Sequence, residues 1–483
     1  VDNVSVKEYT SADMDVTRNT AATRVDENGL VNYAEVIGGE EITNGDFEND
    51  SDWVIGVGWT IANNVASFDG SSTVNPIYQS VPLTSGTTYK FSFKVINYVS
   101  GSFKGYLSEG QQLGFTDLIT SNGDYTFYIT SIGTLCLFRS VTNFIGSITN
   151  VSVKEAVLDN VPRIDYTGGG CPHILAEPQR TNLFPYSEDF SQTDWVKNNQ
   201  TLSLSTVLSP NGTTFAYKAT ATANNSKMTD TLSLLGTTTY TVSFYANNIS
   251  GVDPQILVYD NDNSDVLLSQ SYGSELISDE WVRIVGSFTT TTAASVQLQV
   301  TRNLDDTEEM LIWGAQVEEG SYPTSYIPTS GSTVTRNQDQ FTRDGIGSLI
   351  NSTEGVLFVE MAALSDDGTN RRISIAKDGN NKINMVLSTS SNTVQAIVIS
   401  LGSVQFNASY AISDTTLFFK VAIKYKENDF ALWINGVEVA TDTSGNTFTS
   451  GELNKLVFDN SDGNNPFYGK VKQLQVYDTS LSD

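Results

Sequence analysis

The stretch Ile148-Thr-Asn-Val-Ser-Val-Lys-Glu155 shares its core with the segment Asp2-Asn-Val-Ser-Val-Lys-Glu8 at the start of the chain. Internal repetition is the signature of an array, in which similar units follow one another along one polypeptide. The chain begins with Val1, at the end of such a unit. We therefore expect a fragment or processed product of a longer protein, and we expect function to reside in modules rather than in one active site.

Length and charge limit the classes of protein to which this chain can belong. Its 483 residues suggest about three domains of the usual size. Lys and Arg total 27 against 55 for Asp and Glu, which gives a net charge of -28. This charge repels nucleic acid and anionic membranes, and it disfavours a polyanionic ligand without bridging divalent cations. No run of about 18 apolar residues is present, so we expect no membrane insertion.

Cysteine and histidine are scarce, which restricts the available chemistry. The two cysteines, Cys136 and Cys171, are too few for a disulfide framework. The single histidine, His173, excludes any site that needs two imidazoles, and it is the only histidine available to a Ser-His or Cys-His nucleophile pair. Because His173 follows Cys171-Pro172 in a glycine-rich segment, we interpret it as a local turn residue.

Alternation of apolar and polar residues predicts strands along nearly the whole chain. Tyr89, Phe91 and Phe93 alternate with polar residues, and the same pattern recurs at 240–246 and 296–300. Strands with one dry face pair into antiparallel sheets, and two such sheets pack as a sandwich. No long amphipathic helix is evident. The predicted fold class is therefore all-β, with tandem antiparallel β-sandwiches.

Two units share landmarks in the same order. Each has an opening segment with a Phe and then a Trp, a middle strand that begins Thr-Thr-Tyr, and a closing strand; these lie at 44–53, 87–93 and 148–155 in the first copy and at 187–195, 238–244 and 311–319 in the second. A third unit lacks these landmarks but contains strand patterns and the hairpin signal Asn435-Gly436. We predict that it is a separate β-sandwich.

The segments between the units contain Pro, which stiffens the chain, and Gly, which permits sharp turns. They also contain apolar residues such as Ile164, Tyr322, Tyr326 and Ile327. We therefore predict that these connectors dock on the flanking modules, and that the array is a rod rather than freely rotating beads. Small-angle scattering distinguishes the two arrangements.

Motifs within the units resemble two families of β-sandwich. The opening Asn44-Gly-Asp-Phe-Glu48 with Trp53, and the closing Asn150-Val-Ser-Val153, resemble the jelly-roll carbohydrate-binding modules found on xylanases and cellulases. The segments Ala431-Leu-Trp-Ile-Asn-Gly-Val437 and Val471-Lys-Gln-Leu-Gln-Val-Tyr-Asp478 resemble a concanavalin-type or laminin-G-like lectin sandwich. These resemblances imply two jelly rolls and one lectin-like sandwich.

The connectors resemble a different class of protein. Pro162-Arg-Ile-Asp-Tyr-Thr-Gly-Gly-Gly-Cys-Pro172, Leu175-Ala-Glu-Pro-Gln-Arg-Thr-Asn-Leu183 and the segment at 314–329 are similar to connectors in structural or fibre proteins of tailed bacteriophages. The predicted divisions are the end of a preceding module at 1–9, a connector at 10–38, a jelly-roll module at 39–156, a connector at 157–181, a second jelly-roll module at 182–320, a connector at 321–348 and a concanavalin- or laminin-G-like sandwich at 349–483.

The resemblances imply a non-enzymatic fibre or appendage protein, located on a virion surface or outside the cell. Its expected partners are host-surface glycan and other virion or fibre subunits, in a homo-oligomer, with no nucleic acid. One alternative is a carbohydrate-binding accessory region of a secreted polysaccharide-degrading enzyme or an adhesin, and another is a structural spacer. Glu354 and Glu360 flank a strand, but they do not match the acidic strand motif of sandwich-fold glycosidases.

Aromatic rings are the natural sugar contacts of such sandwiches, with polar side chains nearby to bond hydroxyl groups. Five tryptophans occupy matched or apolar strand positions, so we assign them to cores: Trp53, Trp195, Trp281, Trp313 and Trp433. Rings that lie among Asn, Gln, Ser and Gly are the better ligand contacts. The predicted ligand-binding residues are Trp59, Tyr78, Tyr106, Tyr259 and Tyr272.

Acidic turns suggest a structural calcium ion, although no cofactor is required. Closely spaced carboxylate and amide oxygens suit a hard cation. The predicted ligands are Asn44, Asp46 and Glu48 in the first opening segment, and Asp260, Asp262 and Asp265 in the turn at 260–265. Neither segment is an EF-hand loop, and a solvated hairpin tip is the alternative interpretation of the second.

Overall fold

The computed structural model describes residues 14–71, 75–108, 114–249 and 252–480. Within these ranges the regular structure is β-strand, apart from one 3₁₀ turn at Gly273–Glu275. The described residues divide into two compact units, one made of residues 35–158 and 211–215 and the other made of the rest. The repeat copy at 2–8, and with it the expected module end at 1–9, lies outside the described residues.

The first unit, residues 35–158, is built around two long strands that pair with each other, Thr88–Leu107 and Leu135–Val157. Leu135–Val157 also pairs with three of the shorter strands, and the other two pair with neighbours of it, so hydrogen bonds join all seven strands into one network. The five shorter strands are Val36–Glu40, Trp59–Ala62, Val65–Asp69, Ile77–Ser80 and Gly123–Thr130.

The core of the first unit collects the alternating apolar residues of these strands. Tyr89, Phe91 and Phe93 are all buried, which confirms the predicted dry face. The pairing of the two long strands shifts register near Gly101. There Gly101 has a φ of 79°, and a Cβ atom would lie 2.0 Å from the Thr142 carbonyl oxygen, so only glycine fits.

A second sandwich contains two five-stranded sheets. In spatial order, one sheet consists of Val196–Asn198, Lys227–Leu234, Ala294–Arg302, Gln255–Asp260 and Asp265–Ser271. The other consists of Gln200–Leu208, Phe215–Ala221, Glu309–Glu319, Thr239–Asn248 and Val282–Thr289. Trp195 packs in the core between them together with Tyr240 and Phe244, as the repeated landmarks predict.

The C-terminal sandwich contains two seven-stranded sheets. The first C-terminal sheet consists, in spatial order, of Ile164–Asp165, His173–Ala176, Gly469–Tyr477, Glu354–Ala363, Phe419–Lys426, Phe430–Ile434 and Val437–Asp442. The second C-terminal sheet consists of Asp15–Thr17, Gln340–Asp344, Lys455–Val457, Arg371–Asp378, Asn381–Leu387, Thr393–Ser400 and Ser403–Ala411. Apolar side chains of both sheets form one shared core, to which Leu357 and Leu432 belong.

Connectors supply edge strands to this C-terminal sandwich. Asp15–Thr17 pairs with Gln340–Asp344, and His173–Ala176 pairs with Gly469–Tyr477. Main-chain hydrogen bonds therefore attach the connectors and cover sheet edges that would otherwise be open to pairing. The predicted fold class, all-β sandwiches joined by docked connectors, is confirmed. Two short two-stranded sheets complete the connectors: Thr23–Val25 pairs with Val31–Tyr33 in a hairpin, and Arg180–Asn182 pairs with the distant Val334–Arg336.

The interpretation of His173 as a local turn residue is wrong. His173 is a strand residue that is 3% exposed, and its ring centroid lies 5.6 Å from that of Phe418. It lies opposite Asp165 in a local strand pair, and the following residues of its strand pair with Gly469–Tyr477, almost 300 residues further along the chain. Burial lowers the pKa of His173 to about 4, although Asp165 Oδ1 lies 3.4 Å from Nε2 and opposes the shift.

A buried cluster of charges joins the connectors to one another. Arg163 donates hydrogen bonds to Glu177 at 2.5 Å and to Asp339. Arg18 lies 2.7 Å from Asp339, and Arg336 lies 2.8 Å from Glu177. All five side chains are at most 4% exposed. Burial alone would raise the pKa of Glu177, but the charges of Arg163 and Arg336 outweigh it and lower the pKa to about 2.

Candidate functional site

Two of the five predicted ligand-binding rings lie in hydrophobic cores. Trp59 is 4% exposed, packs against Phe68 and donates its indole N–H to the Asn75 carbonyl at 3.1 Å. Tyr272 is fully buried and donates its hydroxyl to the Val300 carbonyl at 2.7 Å. A buried ring has no face left for a sugar, so the prediction for Trp59 and Tyr272 is corrected to a structural role.

Tyr78 and Tyr106 lie on one face of the first unit. Each is directly opposite Leu137, on one of the two strands that flank it, so both side chains project from the same side. Tyr78 is half-buried. Tyr106 is 5% exposed, because the Arg139 guanidinium lies 4.9 Å from its ring centroid and the Phe115 ring lies at 5.7 Å. Tyr78 stays a predicted ligand contact. The prediction for Tyr106 is corrected: its ring and hydroxyl contact the Arg139 guanidinium and do not face a ligand.

Tyr259 lies on the outer face of the second sandwich. It is half-buried and directly opposite Gln297 on the neighbouring strand. Two further polar side chains continue this row: Gln299 donates to Gln297 at 2.8 Å, and Arg302 donates to Gln299 at 2.9 Å. Tyr259 therefore has hydrogen-bonding neighbours of the kind that a sugar requires, and its role as a ligand contact stays a prediction.

The acidic turn at 260–265 already uses its carboxylates. Asp260 is fully buried and accepts hydrogen bonds from the backbone N–H groups of Asp262 and Asn263, at 3.0 Å each, and from the Asn263 amide at 2.8 Å. The Asn263 bonds lower the pKa of Asp260. Asp262 accepts from the Ser295 backbone N–H at 2.8 Å, and Asp265 is exposed. This bonding is typical of the hairpin-tip alternative.

The opening segment of the first unit is held by bonds to Asn44. Its side-chain amide donates to the Ser51 carbonyl at 2.9 Å, and its own carbonyl accepts the Trp53 indole N–H at 2.9 Å. Asp46 and Glu48 are exposed. In the part of the chain that the structure describes, no group of three or more His, Cys, Asp or Glu side chains is arranged to hold a metal ion. Calcium binding at these residues stays a prediction.

The first C-terminal sheet carries a feature that sequence reasoning missed. Phe358 and Trp433 lie on the two strands that flank Ala422, and the pairing register places all three side by side on the outward face. All three are half-buried. The strands that carry the rings are about 10 Å apart, because two strand spacings separate them. We call Phe358, Ala422 and Trp433 the aromatic strip.

The assignment of Trp433 to the core is therefore corrected. It lies in an apolar strand, but its neighbours Leu432 and Ile434 belong to the core, so Trp433 must point the other way. The same alternation places Leu357 and Val359 inward. The alternation that places Trp433 outward is present in the sequence, but it was overlooked because nearly every residue of the strand is apolar.

Hydrogen-bonding side chains surround the aromatic strip. Gln475 and Glu438 lie at its two ends, opposite the two rings. Glu360 and Lys420 face each other in the next row, with 4.0 Å between Oε2 and Nζ, and Gln473 completes that row. Flat rings can pack against the C–H face of a sugar, while amide, carboxylate and ammonium groups at the rim can bond its hydroxyls.

Glu354 and Glu360 do not form a catalytic pair. They are six positions apart on one strand, which separates them by about 20 Å. Glycosidase carboxylates are about 5 to 9.5 Å apart. Glu354 instead accepts a hydrogen bond from Ser480 at 2.8 Å and lies 3.1 Å from Lys426, and these contacts lower its pKa.

One part of the chain matches a family model. Residues 352–483 match the concanavalin A-like lectin/glucanases superfamily, in its laminin-G form. The match includes the aromatic strip and most strands of the C-terminal sandwich. It agrees with the resemblance drawn from the motifs at 431–437 and 471–478. No curated protein matches the chain.

Several solved structures are similar to parts of this chain. The CBM22-1 xylan-binding domain of Paenibacillus barcinonensis Xyn10C is 13% identical, with 30% of this chain and 94% of that chain covered and a TM-score of 0.23. Domains LG4-5 of the mouse laminin alpha1 chain are 11% identical, with 54% and 91% covered and a TM-score of 0.21. The tandem CBM51 modules of Streptococcus pneumoniae Sp3GH98 are 10% identical, with 64% and 100% covered and a TM-score of 0.19.

Identities and TM-scores this low carry no argument about function. None of these three structures is a bacteriophage protein, so the phage resemblance rests on the connector sequences alone. In the described ranges, no helix has the length and apolar character needed to cross a membrane.

Proposed function

We propose that this chain is an extracellular glycan-binding array, in which the aromatic strip of the C-terminal sandwich is the principal saccharide contact. The observation that supports this function is the position of Phe358 and Trp433 on an outward sheet face, inside the segment that matches the lectin and glucanase superfamily. The proposed binding is non-catalytic: the rings contact the sugar, and the rim residues bond its hydroxyl groups.

The open face of the strip sets the mode of binding. The two rings pack against sugar faces on either side of Ala422, and the rim bonds hydroxyl groups. Binding at one shallow site is weak, because little of the ligand is desolvated. Linked sites raise the effective affinity by about 10² to 10⁴ when they engage one surface together. Tyr78 and Tyr259, which lie on faces of the other two sandwiches, are the additional contacts that we propose.

The connector sequences favour a virion fibre or appendage as the setting, with host-surface glycan as the ligand and other fibre subunits as partners in a homo-oligomer. An accessory region of a secreted polysaccharide-degrading enzyme is the alternative that predicts a catalytic domain in flanking sequence. A structural spacer is supported by a separate observation, the buried charges of Arg163, Glu177 and Asp339 that fasten the connectors. A spacer binds no glycan.

A glycan-array screen of the whole chain, with calcium and then with chelator, tests the proposal. We expect specific binding, and we expect Trp433→Ala to reduce the affinity at least about tenfold, because it removes one ring contact and the area that this contact buries. Tyr410→Ala is the matched control, since it removes a ring that is 42% exposed on the second C-terminal sheet. Binding to no glycan, or equal losses in both variants, contradicts the proposal.

A further inference from the structure

In the described part of the first unit, two of the basic side chains lie in no ion pair. Of its five basic residues, three lie in ion pairs: Lys90 with Glu35 at 2.6 Å, Lys94 with Asp124 at 3.3 Å and Lys154 with Glu40 at 3.9 Å. Across the described residues, neither Lys104 nor Arg139 lies within ion-pair distance of a carboxylate.

Lys104 and Arg139 are also directly opposite each other on neighbouring strands. Opposed side chains share one face of a sheet, with Cβ atoms about 4.5 to 5.5 Å apart, and like charges in this arrangement are destabilising. Folding therefore places two positive charges together at a cost in stability. Both side chains are half-buried, and each keeps some surface that a ligand can contact.

Aromatic rings hold both cations in place. The Lys104 ammonium lies 3.9 Å from the centroid of Phe115. The Arg139 guanidinium lies 4.9 Å from the centroid of Tyr106 and donates to its hydroxyl at 3.3 Å. Cation–π contacts restrict each head group without neutralising its charge. Tyr78 lies on the same face, two strands from Tyr106, and supplies a half-buried ring beside the pair.

We propose that Lys104 and Arg139 bind the anionic group, a carboxylate or a sulfate, of an acidic oligosaccharide whose sugar ring contacts Tyr78. This inference rests on the proposed glycan-binding function and names a ligand class for the first unit. The guanidinium offers two parallel N–H donors to such a group, and the ammonium offers a point charge.

The net charge of the chain is compatible with this ligand. A charge of -28 opposes a long polyanion. Salt, however, screens charges beyond about 8 Å at physiological ionic strength. The binding of a short oligosaccharide with one anionic group therefore depends on the adjacent Lys104 and Arg139 rather than on the distant carboxylates. Binding should weaken as salt is raised.

The test uses the whole chain and three sets of immobilised oligosaccharides: uronate-bearing, sulfated and neutral. We expect binding to one or both acidic sets, reduced at least about tenfold by Lys104→Gln and by Arg139→Gln, because each removes a charge-assisted hydrogen bond. Lys94→Gln is the matched control, since it removes a paired lysine of the same unit, and it should leave binding unchanged. Lys104→Gln should not lower the melting temperature, because it relieves repulsion.

The outcomes separate this inference from the proposed function. Acidic glycans bound equally by the wild type, Lys104→Gln and Arg139→Gln overturn the inference. Neutral glycans bound through Trp433, with no acidic glycan bound, overturn the inference and leave the proposed function in place. Binding of no glycan in any set overturns both. The uronate and sulfate arms identify which anionic group is recognised.

Discussion

Glu177→Gln removes a negative charge from the centre of the buried cluster and changes its shape very little. In the wild type, Glu177 accepts hydrogen bonds from Arg163 and from both the N–H and hydroxyl of Ser325, and it forms an ion pair with Arg336. Within the five-residue cluster, the variant leaves Asp339 as the remaining acid beside three buried arginines. Removing one partner of a buried ion pair costs about 3 to 5 kcal/mol, because the remaining charge is neither solvated nor paired.

The lowered pKa of Glu177 gives a second value for the free energy that its charge contributes to folding. A carboxyl whose pKa falls from 4.5 to about 2 on folding gains about 3 kcal/mol in its ionised form. The sign follows from the lowered pKa: this stability is present above pH 4.5 and is lost as the pH falls toward 2. The two values agree, so we expect Glu177→Gln to destabilise the unit by about 3 to 5 kcal/mol at pH 7.

Urea unfolding at pH 7 measures this loss. With a urea dependence of about 3 kcal/mol/M, the midpoint should fall by about 1 M or more. Glu309→Gln is the matched control, because Glu309 pairs with Lys218 at 2.8 Å while both side chains are about 30% exposed. Such a pair contributes about 1 kcal/mol or less. If the midpoints of the two variants fall equally, the cluster does not hold the connectors together as reasoned.

Three further predictions concern buried groups. Trp59→Ala should destabilise the first unit by about 3 to 5 kcal/mol, measured by urea unfolding, since it empties a core position; a near-neutral effect contradicts its structural role. Burial raises the pKa of Asp230 to about 6, so wild-type stability should fall by about 1 to 3 kcal/mol as the pH rises from 4 to 6, and a melting curve of Asp230→Asn should lack this fall. Burial lowers the pKa of His173 to about 4, so stability should fall by up to about 3 kcal/mol as the pH drops from 6.5 to 4, and His173→Gln should reduce that loss. Identical pH profiles of variant and wild type refute either assignment.

Strand alternation is local information, and it predicted much of the fold. The buried side chains of Tyr89, Phe91 and Phe93 follow from the period of two, and the repeated landmarks predicted the core positions of Trp53 and Trp195. These predictions need only neighbouring residues and the requirement that one face of a sheet be dry.

Contacts between distant residues were not predictable in this way. Arg18 contacts Asp339, which lies 321 residues further along the chain, and no local sequence pattern around either residue indicates this contact. The docking of the connectors was predicted from their apolar residues, but their role as edge strands depends on a partner strand far along the chain. The sequence therefore indicated that these segments pack against the modules, but it did not indicate which sheet each segment joins.

The residues of the candidate site show the same difference between what local sequence predicts and what depends on distant contacts. Trp59 and Tyr272 lie among polar residues in the sequence, yet the packing of other strands encloses them. Tyr78 and Tyr106 were predicted separately, and only the register with Leu137 brings them to one face. Exposure of a ring depends on which layer covers it, and that information is tertiary.

A crystal structure of the whole chain with an oligosaccharide selected on the glycan array shows directly where a saccharide binds. We predict a sugar ring packed on Phe358 or Trp433, with hydroxyls bonded by rim residues such as Gln475 or Glu360. A saccharide bound away from the aromatic strip, with both rings free of ligand, would contradict the assignment of the strip as the principal contact.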